Sequence, residues 1–268
     1  MTPTTLIAVN VFRESVRDKV LYNLVAFAIL LIGASYLIGQ LTAGQDVKII
    51  KDLGLAATSV FGLFIAIFIG IGLVSKEVEK RSIYSLLAKP INRRQIVVGK
   101  YAGLLLTLAV NLSVMAVALY VVLAYMGWGA SARLVQVWER PAADPFLLRQ
   151  FFLTFVELSI VTAIALFFST FSTPLLSAAL TFGFFVAGRF SADLRNFDQA
   201  VDSKVAAGLA RTLYWILPNL ASFDVRSQVV HGQPVSTGYM LLMTGYGALY
   251  ISALLVVATL IFNRRDFK

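Results

Sequence analysis

LGLAATSVFGLFIAIFIGIGLVSKEVEKRSIYSLLAKPINRRQIVVGKYAGLLLTLAVNLSVMAVALYVVLAYM, residues 53–126, sets two apolar runs on either side of a basic segment. Each run has the roughly 20 apolar residues needed to cross about 30 Å of hydrocarbon. The segment between them holds Lys80, Arg81, Lys89, Arg93 and Arg94 around a short apolar step of its own. The stretch therefore predicts two membrane-spanning helices joined on the positively charged side of a membrane.

The rest of the chain agrees. Of 268 residues, 59% are hydrophobic and 14% charged, and the mean hydropathy is +0.81, outside the range of soluble domains. The reading is an all-α integral membrane protein with six spans, at about 20–41, 53–74, 101–126, 150–168, 175–190 and 238–262. The fourth and fifth are parted by STFSTP (169–174), whose hydroxyls and Pro174 favour a turn. The first run lacks a small-residue cleavage site and reads as a retained span. The whole of 1–268 is expected to form one transmembrane domain.

Six spans put both termini on one side of the membrane. The termini and the connection 75–100 carry thirteen of the 23 Lys and Arg on fewer positions than the other connections, so both ends and 75–100 are expected to face the cytoplasm. Residues 1–19 read as an interfacial helix, since Ala8, Val11, Phe12, Ser15 and Val16 share one face and Arg13, Glu14, Arg17 and Asp18 lie opposite. Within the long outer connection 191–237, AVDSKVAAGLARTLYWILP (200–218) is amphipathic and predicts short helices dipping into the outer leaflet, stopped near Pro218.

The net charge of +9 flanks apolar runs instead of forming an aromatic-interleaved stripe, so nucleic acid is not an expected partner; membrane lipid is. Cysteine is absent and His231 is the only histidine, which removes disulfides, thiolate metal sites and most acid–base catalysis. Met126, Met240 and Met243 read as packing. No catalytic residues and no metal site are expected.

In the cytoplasmic connection, Ser82 can cap a two-turn helix whose Ile83, Leu86 and Leu87 fall at i, i+3 and i+4, and Pro90 stops it. So short a helix must dock on something. Glu77 and Glu79 precede it and would repel an anionic lipid surface, which favours a protein partner. EVEKRSIYSLLAKPINRR (77–94), with Gly99 and Lys100 behind it, resembles the cytoplasmic segment of ABC type 2 permeases, in particular the multicopper enzyme maturation and nitrous oxide reductase assembly group. LPNL (217–220) and the closing RRDF (264–267) are similar as well. The sequence departs from the pattern at Arg81, where Gly is usual, and at Ser82, where Thr is.

The resemblance implies that 75–100 holds a coupling helix seated in a separate ATPase. Glu77, Glu79 and Arg81 would border the docking site, with Ser82 at the helix start. Ile83, Tyr84, Leu86 and Leu87 would fill the groove, Pro90 would end the helix, and Arg93 and Arg94 would anchor its exit. It further implies a homodimer with two ATPase copies, ATP and magnesium bound by the ATPase and no cofactor in this chain, residence in a prokaryotic cytoplasmic membrane, and export as the direction. An extracytoplasmic or periplasmic accessory protein is a further partner it admits. No GxxxxGK[ST] loop occurs in the sequence, consistent with ATP binding elsewhere.

Two residues stand out inside the spans. Glu157 is an intramembrane carboxylate, read either as a translocation-path group for cations or as a helix-pairing group. Asn111 reads as interhelical glue or a pore-lining amide. Rival readings are an ion-coupled carrier or channel using Glu157, and a membrane scaffold for an assembly factor. The apolar spans lean toward lipid-like cargo.

Overall fold

The structure is a computed structural model that describes residues 2–41, 45–79, 93–130, 140–191 and 216–264, with isolated positions at 135, 138, 208, 212 and 214. The ordered elements among them are helical: α1 (Pro3–Val16), α2 (Lys19–Gln40), α3 (Asp46–Glu79), α4 (Arg93–Gly129), α5 (Leu147–Ser169), α6 (Pro174–Arg189), a 3-10 turn (Ala221–Phe223), α7 (Arg226–Val230) and α8 (Thr237–Arg264).

Their ends follow local chemistry. Pro3 opens α1 behind an extended Thr2. Asp18 breaks the chain between α1 and α2, where its carboxylate accepts the Val20 N–H at 3.0 Å and satisfies a donor that the helix leaves orphaned. Pro174 likewise opens α6 behind an extended Thr173, so the division expected at 169–174 is present.

Among the described residues five helices are long and apolar enough to cross a membrane: Lys19–Gln40, Asp46–Gly72, Arg94–Gly129, Leu147–Ser169 and Thr237–Ile261. The fifth expected span, 175–190, is instead the 16-residue α6, about 24 Å long at roughly 1.5 Å per residue. Two helices overrun their expected bounds. α3 has 34 residues and α4 has 37, about 51 and 55 Å against roughly 30 Å of hydrocarbon. Residues 46–52, expected as connection, are the first turns of α3. Likewise 75–79 and 93–100 extend α3 and α4 into the expected cytoplasmic segment.

α5 is the hub. It is buried along nearly its whole length and packs against α3, α4, α6 and α8. α2 and α8 are peripheral and turn large apolar side chains outward, among them Leu30, Leu37, Leu241 and Leu249. Such a surface suits a lipid solvent and would be a liability in water.

The inner face of α1 settles on α4. Val11 and Ser15 are buried there, and Gly99 and Gly103 of GKYAG let the two backbones close up. A Cβ on Gly103 would stand 2.5 Å from the Ala8 carbonyl oxygen, and one on Gly99 2.9 Å from that of Thr4. This is the small-xxx-small contact of helices packed without a side chain between them. The amphipathic face expected on 1–19 is therefore present, and its partner is a helix of the same chain.

Residues 216–223 run beside α8 with their backbone tied to a ladder of tyrosines. Tyr250 Oη donates to the Ile216 carbonyl at 2.9 Å, Tyr246 Oη accepts the Asn219 N–H at 2.9 Å, and Tyr239 Oη donates to the Ser222 carbonyl. Tyr246 lies about 14 Å along the axis from Thr237 at roughly 1.5 Å per residue, so the irregular backbone at Asn219 reaches well along a membrane-length helix. Such backbone must find its partners in protein. Tyr250→Phe is expected to cost about 0.5–1.5 kcal/mol by leaving one carbonyl without its donor, read as a lower melting temperature in detergent. An unchanged transition would show that the ladder adds nothing.

Candidate functional site

The segment 80–92 lies outside the described residues, and with it Arg81, Ser82, Ile83, Tyr84, Leu86, Leu87 and Pro90. The backbone of Glu77 and Glu79 closes α3 and that of Arg93 opens α4; the side chains of all three are outside the description as well. Arg94 is exposed on the first turn of α4. Asn111 is half-buried, and its Nδ2 donates to the Thr107 carbonyl at 2.7 Å, one turn back in the same helix. It does not join Glu157.

Glu157 is the centre of the described polar structure. Its helix α5 carries it fully buried, about 15 Å from Leu147 at roughly 1.5 Å per residue, and a lone carboxylate at that depth would be strongly unfavourable. Arg189, the last residue of α6, meets it. Nη2 stands 2.9 Å from Oε1 and donates to Oε2 at 3.2 Å. The short length of α6 is what makes this contact, because the helix stops where its C-terminal guanidinium reaches the buried acid.

Arg189 is shared. Its Nη1 lies 2.7 Å from Oδ2 of Asp224, its Nη2 lies 3.5 Å from Oγ of Ser59 on α3, and its Cζ lies 5.5 Å from the Phe185 ring centroid. Asp224 also accepts the Arg226 N–H at 3.1 Å, and Arg226 Nε pairs with Asp52 of α3 at 3.2 Å. One chain of charges thus stitches α3, α5, α6 and the segment before α7. Gln150 adds a neutral tie, with Oε1 accepting the Val225 N–H at 2.9 Å. The network borders a cleft of about 710 Å³ lined by Gln45, Lys48, Asp52, Arg189, Asp224, Arg226 and His231 among others.

A second buried charge was not singled out from the sequence. Lys51 is 2% exposed, and its Nζ donates to the Pro141 carbonyl at 2.9 Å. It sits on the stretch expected to be connection, where a lysine is unremarked. Arg189 is equally unmarked in the sequence. Its distance in sequence from Glu157 hides the pairing, although an arginine closing a short apolar run was a usable signal once an unpaired acid was in view.

Chemically the arrangement is a lock, with each acid held by a guanidinium. Among the described residues no group of three His, Asp or Glu stands together to hold a metal ion. His231 is exposed, with Nδ1 2.9 Å from the Ser227 carbonyl oxygen.

Residues 6–267 match the family model described as ABC-2 family transporter protein. The chain belongs to the ABC-2 transporter family. Comparison with curated proteins gives no significant match. Membership makes this chain a multi-pass membrane component of an ABC transporter, in a family whose permeases are generally not catalytic themselves and work with a partner ATPase.

Proposed function

We propose that the chain is the permease half of an ATP-driven exporter and that 75–100 couples it to a separate ATPase. Two copies would assemble with two ATPase subunits, which bind the ATP and magnesium. The observation that carries this reading is the pair of overlong helices. α3 and α4 extend about 51 and 55 Å at roughly 1.5 Å per residue, and they end and begin on the two sides of 80–92. Ile83, Tyr84, Leu86 and Leu87 are the groove-filling residues in this reading, with Glu77, Glu79 and Arg81 around them and Arg93 and Arg94 at the exit.

α3 then acts as a lever. From Glu79 to Asp52 it runs about 40 Å at roughly 1.5 Å per residue, and Asp52 and Ser59 touch Arg226 and Arg189. A shift imposed on its inner end reaches the charge lock at Glu157. α1, seated on Gly99 and Gly103 of α4, moves with the second arm. In this reading the short α6 supplies the fifth of six crossings, the termini lie in the cytoplasm of a prokaryotic cell, and the cargo is lipid-like. The likeness of 77–94 favours the copper-enzyme maturation group within the family. A carrier that binds ions at Glu157 is disfavoured by the guanidinium already on its carboxylate.

The test is Leu86→Asp with Leu87→Asp in the reconstituted permease–ATPase complex. Burying two carboxylates in an apolar groove is expected to lower substrate-stimulated ATP hydrolysis at least about tenfold, each unpaired charge costing several kcal/mol, while membrane insertion is kept. Hydrolysis that stays coupled to transport in the double variant would remove the segment from the coupling path.

A further inference from the structure

At the end of the bundle opposite the chain termini, the last turns of α2 and α4 and the first residue of α3 enclose a second pocket of about 500 Å³, lined by Tyr36, Gln40, Asp46, Tyr125, Met126 and Trp128, with Gly129 and Ala130 at its edge. We propose that this pocket binds a quaternary alkylammonium group.

Three observations point to that chemistry. Aromatic rings make up much of the wall: Tyr36 and Tyr125 meet edge to face with centroids 5.5 Å apart, and Trp128 stands 93% exposed at the rim. Rings set at an angle offer π faces from more than one direction, which suits a compact cation held within about 6 Å of each. Among the described lining residues Asp46 alone is charged, and its side chain is withdrawn to 8% exposure. Its Oδ1 accepts the Val47 N–H at 2.9 Å. The positive end of α3, worth roughly half a charge, opposes a cation here, but the full charge of the carboxylate outweighs it. Gln40 Nε2 is turned to Met126 Sδ at 3.7 Å, so the negative, oxygen end of the amide dipole remains to face a cation.

The location fits the ligand. The pocket joins the termini of three membrane-length helices, the level at which lipid headgroups lie and where Trp and Tyr collect. An aromatic belt alone would account for Trp128; it would not account for a withdrawn acid lining the same pocket as two further rings.

The test uses the full chain. Calorimetric titration in detergent compares choline with its uncharged isostere 3,3-dimethylbutan-1-ol, and lipid retention is counted by native mass spectrometry from nanodiscs of phosphatidylcholine or phosphatidylglycerol. The expected result is choline binding at least about tenfold tighter than the isostere, since the difference is the charge felt by the rings and Asp46. Asp46→Asn, which keeps an oxygen to accept the Val47 N–H, should remove that preference, and Trp128→Leu should weaken choline several-fold. Asp46-dependent retention of phosphatidylcholine would identify a lipid as the source; choline binding without it would identify a soluble ligand, and both uphold the site. Equal binding of the isostere, indifference to Asp46→Asn, or no binding of either choline or phosphatidylcholine overturns it.

Discussion

Arg189→Leu is expected to cost the folded chain about 3–5 kcal/mol, because it leaves Glu157 as an uncompensated buried carboxylate. The magnitude comes from one side of the network only. The Glu157 side chain is 1% exposed, whereas Asp224, the other acid on Arg189, is 30% exposed and is screened by solvent, so Asp224→Asn should cost no more than about 1 kcal/mol. Glu157→Gln in the Arg189→Leu background should restore most of the loss, since a neutral amide replaces the stranded charge. Thermal unfolding of the parent, Arg189→Leu, Glu157→Gln and the double variant in one detergent reads the cycle, with Asp224→Asn measured beside them. If Arg189→Leu is no worse than Asp224→Asn, the buried pair does not hold the helices together. In the coupled complex, Glu157→Gln alone should change transport more than stability, as expected of a lock that has to open.

Gly103→Leu should separate α1 from α4. A Cβ at that position meets the Ala8 carbonyl oxygen at 2.5 Å and Val11 at 2.7 Å, and the first of these is backbone that cannot rotate away. Overpacking of this kind costs about 1–3 kcal/mol. Here the cheapest relief is for α1 to leave, exposing Val11 and Ser15. Tryptic cleavage at Arg13 and Arg17 should then accelerate at least about tenfold, as local opening of 1.4 kcal/mol suffices for that factor. Gly33→Leu, with nothing within 4 Å of its added Cβ, is the control and should cleave as the parent does. Equal cleavage in the two variants would show that the glycines do not seat α1. Loss of ATPase stimulation in Gly103→Leu, with insertion intact, would further place α1 in the path from the ATPase.

The helices themselves were legible because a bilayer-length apolar run has few alternatives. α2, α5 and α8 fall where the hydropathy of 20–41, 150–168 and 238–262 puts them, and Pro174 marks the start of α6 as its fixed φ demands. The amphipathic face of α1 was readable from the periodicity of Ala8, Val11 and Ser15. Hydropathy misplaced the ends of α3 and α4, since polar residues such as Lys51 and Lys100 continue a helix readily when neighbouring helices cover them. Composition sees the polarity and cannot see the cover.

The site was half legible. Glu157 is conspicuous as a carboxylate among apolar neighbours, and intramembrane acids announce themselves by cost. Nothing local announces its partner. Arg189 looks like a basic residue at a span end until the length of α6 places it beside α5, and Asp224 and Ser59 come from segments with no sequence relation to either. The tyrosine ladder is equally silent, because Tyr239, Tyr246 and Tyr250 read as ordinary residues of an apolar helix until residues 216–222 lie beside them.

By itself the sequence determined that this is an all-helical membrane protein with its helices in order and with the residues resembling a coupling segment between α3 and α4, because the free energy of placing apolar runs in lipid is a sum over neighbours along the chain. Tertiary structure alone decided that Arg189 answers Glu157, that α1 rests on Gly99 and Gly103, and that irregular backbone follows α8, because ion pairs, close glycine contacts and backbone hydrogen bonds depend on distances between segments that no local pattern records.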